Sequence, residues 1–198
     1  MDPLKHCRRR ARTRRFVPTA AFAALALLAG CAPGGDLTPL PPPASAAYTL
    51  GPGDQVRVIT FGEQTLTGQF SVEDSGNVAI PLLGPVHAAG LTTPQLADAI
   101  DGQLRGKNLL RNPSVAVEIV TYRPVFVLGE VNKPGEYPYQ PGMTVLSVVA
   151  LAGGFTYRAY EDYAAVVRND HGKSIEGRAE DGALLQPGDV VKVLERMF

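Results

Sequence analysis

The chain of 198 residues has no tryptophan, two cysteines, three histidines and no net charge at pH 7. Cys7 and Cys31 are too few for a disulfide framework if one of them is removed with a leader. Of the histidines, His87 lies between a predicted strand and a predicted helix, and His171 lies in a turn. With so few sulfur and imidazole groups we expect no transition-metal site, and no motif predicts a cofactor.

The neutral total charge hides two unlike parts. Residues 1–30 hold seven Lys or Arg and one acid, which leaves twelve basic and eighteen acidic residues for the remainder. Because phosphate contacts need clustered Lys and Arg, the net-acidic body excludes a general nucleic-acid binder. The 21 glycines and 17 prolines predict many turns and short strands, and 45% hydrophobic residues are enough to build a core.

The N-terminus has the pattern of an export signal. Basic residues at 5–15 precede the apolar run 16–28, whose 13 residues are fewer than the ~20 that span a bilayer as a helix. Small residues and a polar breaker follow, so we predict a cleaved signal peptide over residues 1–30. The pair Arg14-Arg15 leaves Sec and twin-arginine export both open.

Leu28-Ala29-Gly30-Cys31 resembles the lipobox of bacterial lipoproteins. The resemblance implies cleavage between Gly30 and Cys31 and a thioether-linked diacylglycerol on Cys31. Two or three acyl chains, palmitate for example, anchor stably where one is marginal. Ala32 rather than Asp follows the cysteine, which by the same resemblance implies the outer membrane. The alternative is an ordinary signal peptide with an incidental cysteine.

Residues 31–47 are predicted to be the lipidated cysteine and a Pro-rich tether. The linker 32–47 has almost no apolar bulk, so we expect it to be extended and solvated. Two small domains follow, at residues 48–122 and 123–198.

The first domain, 48–122, is predicted to be a small α/β sandwich. A capping box begins at Thr92 and introduces a helix that buries Leu96, Ile100 and Leu104. Patterns of β-branched residues predict a strand at 55–61, a hairpin of 70–72 with 78–80, and a strand at 115–122.

The second domain, 123–198, is predicted to be a β-grasp fold, which makes the whole chain α+β. Thr144 caps a predicted helix over 145–152 that is apolar on nearly every side, so we expect it to be well buried. The predicted strands are 125–129 with 136–139, the hairpin 163–168 with 173–175, and 190–194.

One short motif, L-x-P-G-D-x-V-(R/K)-V, occurs twice, at 50–58 and at 185–193. Proline presets φ and glycine accepts a positive φ, so each copy predicts a tight turn that leads into a strand. The turn residues are Pro52, Gly53 and Asp54 in the first copy and Pro187, Gly188 and Asp189 in the second. We expect each aspartate side chain to close its turn onto a backbone N–H.

No catalytic motif is present, so we do not expect an enzyme. There is no G-x-S-x-G sequence, and Gly51-Pro52-Gly53 leads into a strand rather than a phosphate-binding helix. The acidic pairs 73–74 and 161–162 are adjacent and would point to opposite faces of a strand.

Six of the seven tyrosines lie between residues 122 and 163. Tyrosine combines an apolar ring with a polar tip, which suits contacts with sugars, although strand packing explains most of them equally well. Tyr157 and Tyr160 follow Gly153-Gly154 in a predicted loop and are the candidate glycan contacts.

The body of the chain resembles the bacterial outer-membrane polysaccharide export family. The resemblance rests on 48–54 with Asn112-Pro113-Ser114-Val115 for the export domain, and on 127–135 with Ala152-Gly153-Gly154 for the soluble-ligand-binding (SLBB) β-grasp domain. It implies a ring-shaped homo-oligomer, anchored by lipid to the outer membrane and facing the periplasm, that passes capsule or exopolysaccharide outward.

The resemblance also implies partners. One is an inner-membrane polysaccharide co-polymerase. Because residues 189–198 leave no room for a membrane helix after the last strand, we expect a separate outer-membrane component, a β-barrel. The alternative is a glycan-binding or assembly lipoprotein that does not conduct polymer.

Overall fold

A computed structural model describes residues 36–42, 47–170 and 172–197. The predicted signal peptide, the predicted lipidation site at Cys31 and the predicted turn residue His171 lie outside these ranges. The strands are β1 (Gln55–Thr60), β2 (Gly68–Ser71), β3 (Asn77–Ile80), β4 (Gly84–His87), β5 (Val115–Thr121), β6 (Val125–Gly129), β7 (Gly135–Tyr137), β8 (Ala164–Asp170), β9 (Lys173–Ala179) and β10 (Val190–Val193). The α-helices are α1 (Thr93–Gly106) and α2 (Val145–Leu151), and Gln64–Leu66 form one short 3-10 helix.

The first domain is built on a three-stranded antiparallel sheet in the order β2-β1-β5, with a separate antiparallel ribbon of β3 and β4. Alternate residues of β1 point inward, and Val56 and Val58 are completely buried. They pack with the buried face of α1 in one core. The predicted α/β sandwich is confirmed.

Helix α1 forms where the sequence predicts it. The Thr92 side chain accepts a hydrogen bond from the Gln95 backbone, and the Gln95 side chain accepts one from the Thr92 backbone. This reciprocal capping box satisfies two of the N–H groups that a helix start leaves free. Leu96, Ile100 and Leu104 are buried, as predicted.

The predicted hairpin of 70–72 with 78–80 is wrong in its pairing. The turn itself exists, since Glu73 N donates to Asn77 O at 2.8 Å and one bridge joins Val72 to Val78. Beyond that bridge β2 pairs with β1, whereas β3 pairs with β4, a strand that the sequence analysis missed. Strand β4 contains Pro85, and a two-stranded ribbon tolerates proline because one side of each strand needs no partner. His87 belongs to β4 rather than to a connection.

The second domain has one five-stranded sheet in the order β7-β6-β10-β8-β9, in which β10 runs parallel to β6 and the other neighbours are antiparallel. A hairpin, a helix and a returning parallel strand make the predicted β-grasp arrangement. The hairpin of β8 and β9 is longer than predicted. The core of the second domain includes Val127, Val148, Val166 and Val191.

Helix α2 is less buried than its apolar sequence predicts. Val145, Val148 and Val149 face the core, but Leu146 is 48% exposed and Leu151 is 53% exposed. The helix covers one face of a single sheet, and nothing within the described residues covers its outer side. A short apolar helix therefore has an exposed stripe that composition alone did not predict.

The tether is not fully solvated, which corrects the prediction for residues 32–47. Leu40 N donates to Arg178 O at 2.7 Å and Arg178 N donates to Thr38 O at 2.8 Å, so this segment pairs with the edge of β9. Pro39 lies between the two bonded residues, where its missing N–H is not needed. Leu40 packs against the core of the second domain. An exposed strand edge offers unpaired backbone groups, and this segment satisfies two of them.

Candidate functional site

The first P-G-D turn has the geometry that its sequence predicts. Asp54 N donates to Gly51 O at 3.1 Å, and Gly53 has φ of 92°, in the region that favours glycine. The Asp54 side chain closes the turn by accepting a hydrogen bond from Gly51 N at 2.8 Å. The carboxylate is completely buried.

Asp54 also joins the turn to the first residue of each domain, Tyr48 and Arg123. Its carboxylate accepts hydrogen bonds from the Tyr48 hydroxyl at 2.6 Å and from Arg123 N at 2.8 Å. Burial, together with the hydrogen bond to Asp54, raises the pKa of Tyr48 well above its usual value. The buried carboxylate is therefore satisfied by three close donors.

The second P-G-D turn repeats this arrangement. Asp189 N donates to Gln186 O at 3.1 Å, and Gln186 N donates back to the Asp189 carboxylate at 2.8 Å. Asp189 forms a buried ion pair with Arg168, with Nη2 2.7 Å from Oδ2 and Nε 3.0 Å from Oδ1. The same guanidinium donates to Pro41 O and Leu184 O, which ties the tether to this turn.

Arg123 lies between the two turns and connects the domains. Its Nε donates to Pro187 O at 2.9 Å, and its Nη1 is 3.5 Å from the Asp54 carboxylate. A Cβ at Gly188 would lie 3.0 Å from Nε, so the second turn needs glycine for this approach as well as for its φ of 86°. The repeated motif thus builds the two sides of one joint.

A cleft of about 490 Å³ opens beside this joint. Its lining includes Tyr48, Thr49, Arg123, Tyr139, Leu184 and Gln186. The volume falls within the roughly 300–1,000 Å³ of small-molecule sites.

Three tyrosine rings form an edge-to-face row at the cleft. The ring centroids of Tyr48 and Tyr122 are 5.1 Å apart, and those of Tyr122 and Tyr139 are 5.5 Å apart. The Arg123 guanidinium lies 5.6 Å from the Tyr48 ring centroid, a cation–π contact. Burial raises the pKa of Tyr139, as it raises that of Tyr48.

Tyr122 and Tyr139 belong to the tyrosine cluster that the sequence shows at residues 122–163, but the prediction singled out Tyr157 and Tyr160 and did not consider Tyr48. From the sequence, Arg123 was placed only at the boundary between the two domains. Its position could have indicated more, because Arg123 directly follows the last strand of the first domain and precedes Pro124. A repeated P-G-D motif on both sides of one arginine could have indicated the joint.

The two tyrosines that the sequence singled out lie elsewhere. Tyr157 is 87% exposed in the loop after α2. Tyr160 stacks edge-to-face on Tyr163, with centroids 4.9 Å apart, and a hydrogen bond with Asp162 raises its pKa. Neither residue lines the cleft, and their role as glycan contacts remains a prediction.

The described residues contain no cluster of three metal-ligating side chains. Within the same ranges, none of the helices has the length and apolar character required to span a bilayer.

Comparison with known families matches both domains. Residues 42–120 match the profile described as polysaccharide biosynthesis/export protein, and residues 124–179 match the SLBB domain. The chain belongs to the polysaccharide export protein family.

Three relatives support this assignment. The exopolysaccharide production protein ExoF of Rhizobium meliloti is 39% identical over 67% of this chain and 33% of its own length. The polysialic acid transport protein KpsD of Escherichia coli is 31% identical over 54% of this chain and 19% of its own. The EPS I polysaccharide export outer membrane protein EpsA of Ralstonia nicotianae is 26% identical over 75% of this chain and 41% of its own. The chain therefore spans less than half the length of each of these relatives.

Proposed function

We propose that this protein is a periplasmic component of a capsule or exopolysaccharide export conduit, anchored in the outer membrane through a lipid on Cys31. The observation that carries the proposal is the succession of the export domain and the SLBB domain in one folded body. The relatives named for exopolysaccharide production, polysialic acid transport and polysaccharide export support the substrate class.

The fold suits a structural part of a conduit rather than a catalyst. The joint at Arg123 connects the two domains through a hydrogen bond to Pro187 O and a contact with buried Asp54. Such an element can assemble with copies of itself into a ring that guides polymer, and no covalent step is required of it. An inner-membrane polysaccharide co-polymerase and a separate outer-membrane component are the partners that this role needs.

The anchoring step is tested by changing Cys31→Ala in the producing strain. Loss of the acyl chains removes the main membrane affinity, so we expect the protein to leave the membrane fraction and polymer secretion to fall. Cys7→Ala is the matched control, because Cys7 lies within the predicted leader. The readouts are palmitate labelling, membrane fractionation and secreted polymer. Unchanged secretion in a Cys31→Ala strain that has lost its label contradicts the anchored conduit.

A second candidate function is a glycan-binding lipoprotein that does not conduct polymer, and the cleft beside Arg123 favours it. The mass of the detergent-extracted protein separates the two functions. A ring of many copies supports the conduit. A monomer that binds oligosaccharide tightly and saturably supports the binder, because a conduit must release its cargo.

A further inference from the structure

We infer that the cleft beside Arg123 binds one unit of a glycan that carries a carboxylate, with Arg123 as the recognising cation and Tyr48 and Tyr139 as its aromatic walls. This inference rests on the proposed function, which supplies the polysaccharide. It adds to that function a binding site and the chemical class of the bound sugar.

The first argument is the charge of the lining. Arg123 is the one charged residue that lines the cleft within the described ranges. Asp54, the nearest carboxylate, is completely buried behind the joint and does not line the cleft. A ligand in the cleft therefore meets a cation and no anion.

The second argument is that the guanidinium retains donor capacity. The Asp54 oxygens already accept from the Tyr48 hydroxyl, Gly51 N and Arg123 N at 2.6–2.8 Å. The Arg123 Nη1 is 3.5 Å from that carboxylate, longer than the ~2.7–2.9 Å of a charge-assisted hydrogen bond. Within the described residues no hydrogen bond joins Nη2, and the Arg123 side chain is 25% exposed. Arginine is well suited to recognise a planar carboxylate through two parallel N–H donors.

The third argument is the shape and polarity of the walls. Tyr48 and Tyr139 offer ring surface on which the apolar face of a sugar can lie, and Thr49 and Gln186 add polar groups around it. The rings are held in place by Tyr122, which contacts both edge-to-face. A preorganised aromatic wall beside a cation binds an acidic sugar with little ordering cost.

The test uses the full chain in detergent, with trigalacturonate as the acidic probe and cellotriose as a neutral probe of equal length. Titration calorimetry is expected to show saturable binding of trigalacturonate. It is also expected to show about tenfold weaker binding of cellotriose. A hydrogen bond to a charged group contributes more binding free energy than a hydrogen bond to a neutral group. Equal affinities, or no saturable binding of either probe at millimolar concentration, overturn the inference.

Leu184→Glu places a negative charge at the cleft and is expected to weaken trigalacturonate binding about tenfold. Leu184 is 49% exposed, so the substitution leaves the core intact. Leu151→Glu is the matched control, because Leu151 is 53% exposed on α2 and does not line the cleft. If Leu151→Glu weakens binding as much, the site is elsewhere. A shifted melting temperature identifies a folding defect, and the comparison of the two probes on the unmodified protein then decides.

Binding by the unmodified protein and secretion by the Cys31→Ala strain together separate this inference from the proposed function. Absence of binding in the unmodified protein, together with loss of secretion in Cys31→Ala, rejects the cleft and leaves the export function standing. Normal secretion in Cys31→Ala rejects the anchored conduit whatever the cleft binds.

Discussion

Removing one member of the buried ion pair between Arg168 and Asp189 should cost far more stability than removing one member of the exposed pair between Asp101 and Arg105. The Arg168 and Asp189 side chains are 6% and 1% exposed, and their closest atoms are 2.7 Å apart. Removing one member of a buried pair leaves an uncompensated charge, which costs about 3–5 kcal/mol. Arg168 would keep its bonds to Pro41 O and Leu184 O, so we expect Asp189→Ala to cost about 3 kcal/mol, at the lower end.

The matched control is Asp101→Ala in α1. Asp101 pairs with Arg105 at 2.9 Å, nearly the same separation, but the side chains are 25% and 58% exposed. Solvent screening reduces the contribution of such an i,i+4 pair to about 0.3–0.5 kcal/mol. Burial is therefore the main difference between the two pairs.

Urea unfolding followed by circular dichroism measures both variants, because the chain has no tryptophan for fluorescence. The double variant Arg168→Met with Asp189→Ala should be less destabilised than the sum of the two single variants, since it leaves no buried charge. If Asp189→Ala costs no more than Asp101→Ala, burial does not set the strength of this pair and the reasoning fails.

Two further predictions concern the tether and the joint. Leu40→Asp should release the paired tether segment from β9, and the measurement is faster proteolytic cleavage before Tyr48. Gly177→Ala should have the same effect, because its Cβ would lie 2.8 Å from the Leu40 Cα. Equal cleavage rates in the two variants and the unmodified protein would contradict the pairing of the tether with β9. The raised pKa of Tyr48 means that the folded state holds the proton of the Tyr48 hydroxyl more tightly than the unfolded state does. The stability that the protonated hydroxyl contributes is therefore complete below pH 10.0 and is lost progressively as the pH rises above that value. Tyr48→Phe should therefore lose less stability above pH 10.0 than the unmodified protein, measured by urea unfolding on either side of that pH, and parallel losses refute the assignment.

The repeated P-G-D motif shows how far local sequence reaches. Proline and glycine fix the dihedral angles of a tight turn, and an aspartate three residues after the turn's first residue can close it, so both turns follow from short-range chemistry. The helix caps predicted at Thr92 and Thr144 are equally local, and both are present. These features depend only on neighbours in the chain.

Two of the wrong predictions concern segments that have more than one possible backbone partner. Val72 and Val78 pair across the predicted turn, but the rest of β2 pairs with β1 and the rest of β3 pairs with β4. The pattern of alternating residues identifies a strand without identifying which strand it pairs with. The predicted solvation of the tether failed for the same reason, since Leu40 gains a partner only because the edge of β9 comes near it.

The sequence by itself determined the family, the two-domain order, the turns and the buried face of α1, because short motifs and hydrophobic periodicity are carried by adjacent residues. Only the tertiary structure decided that Arg123 lies between two turns more than a hundred residues apart in the chain, and that Tyr48 and Tyr139 face one cleft. Such a convergence depends on how the two cores pack against each other. That packing is the sum of many weak contacts and leaves no local pattern at any single residue.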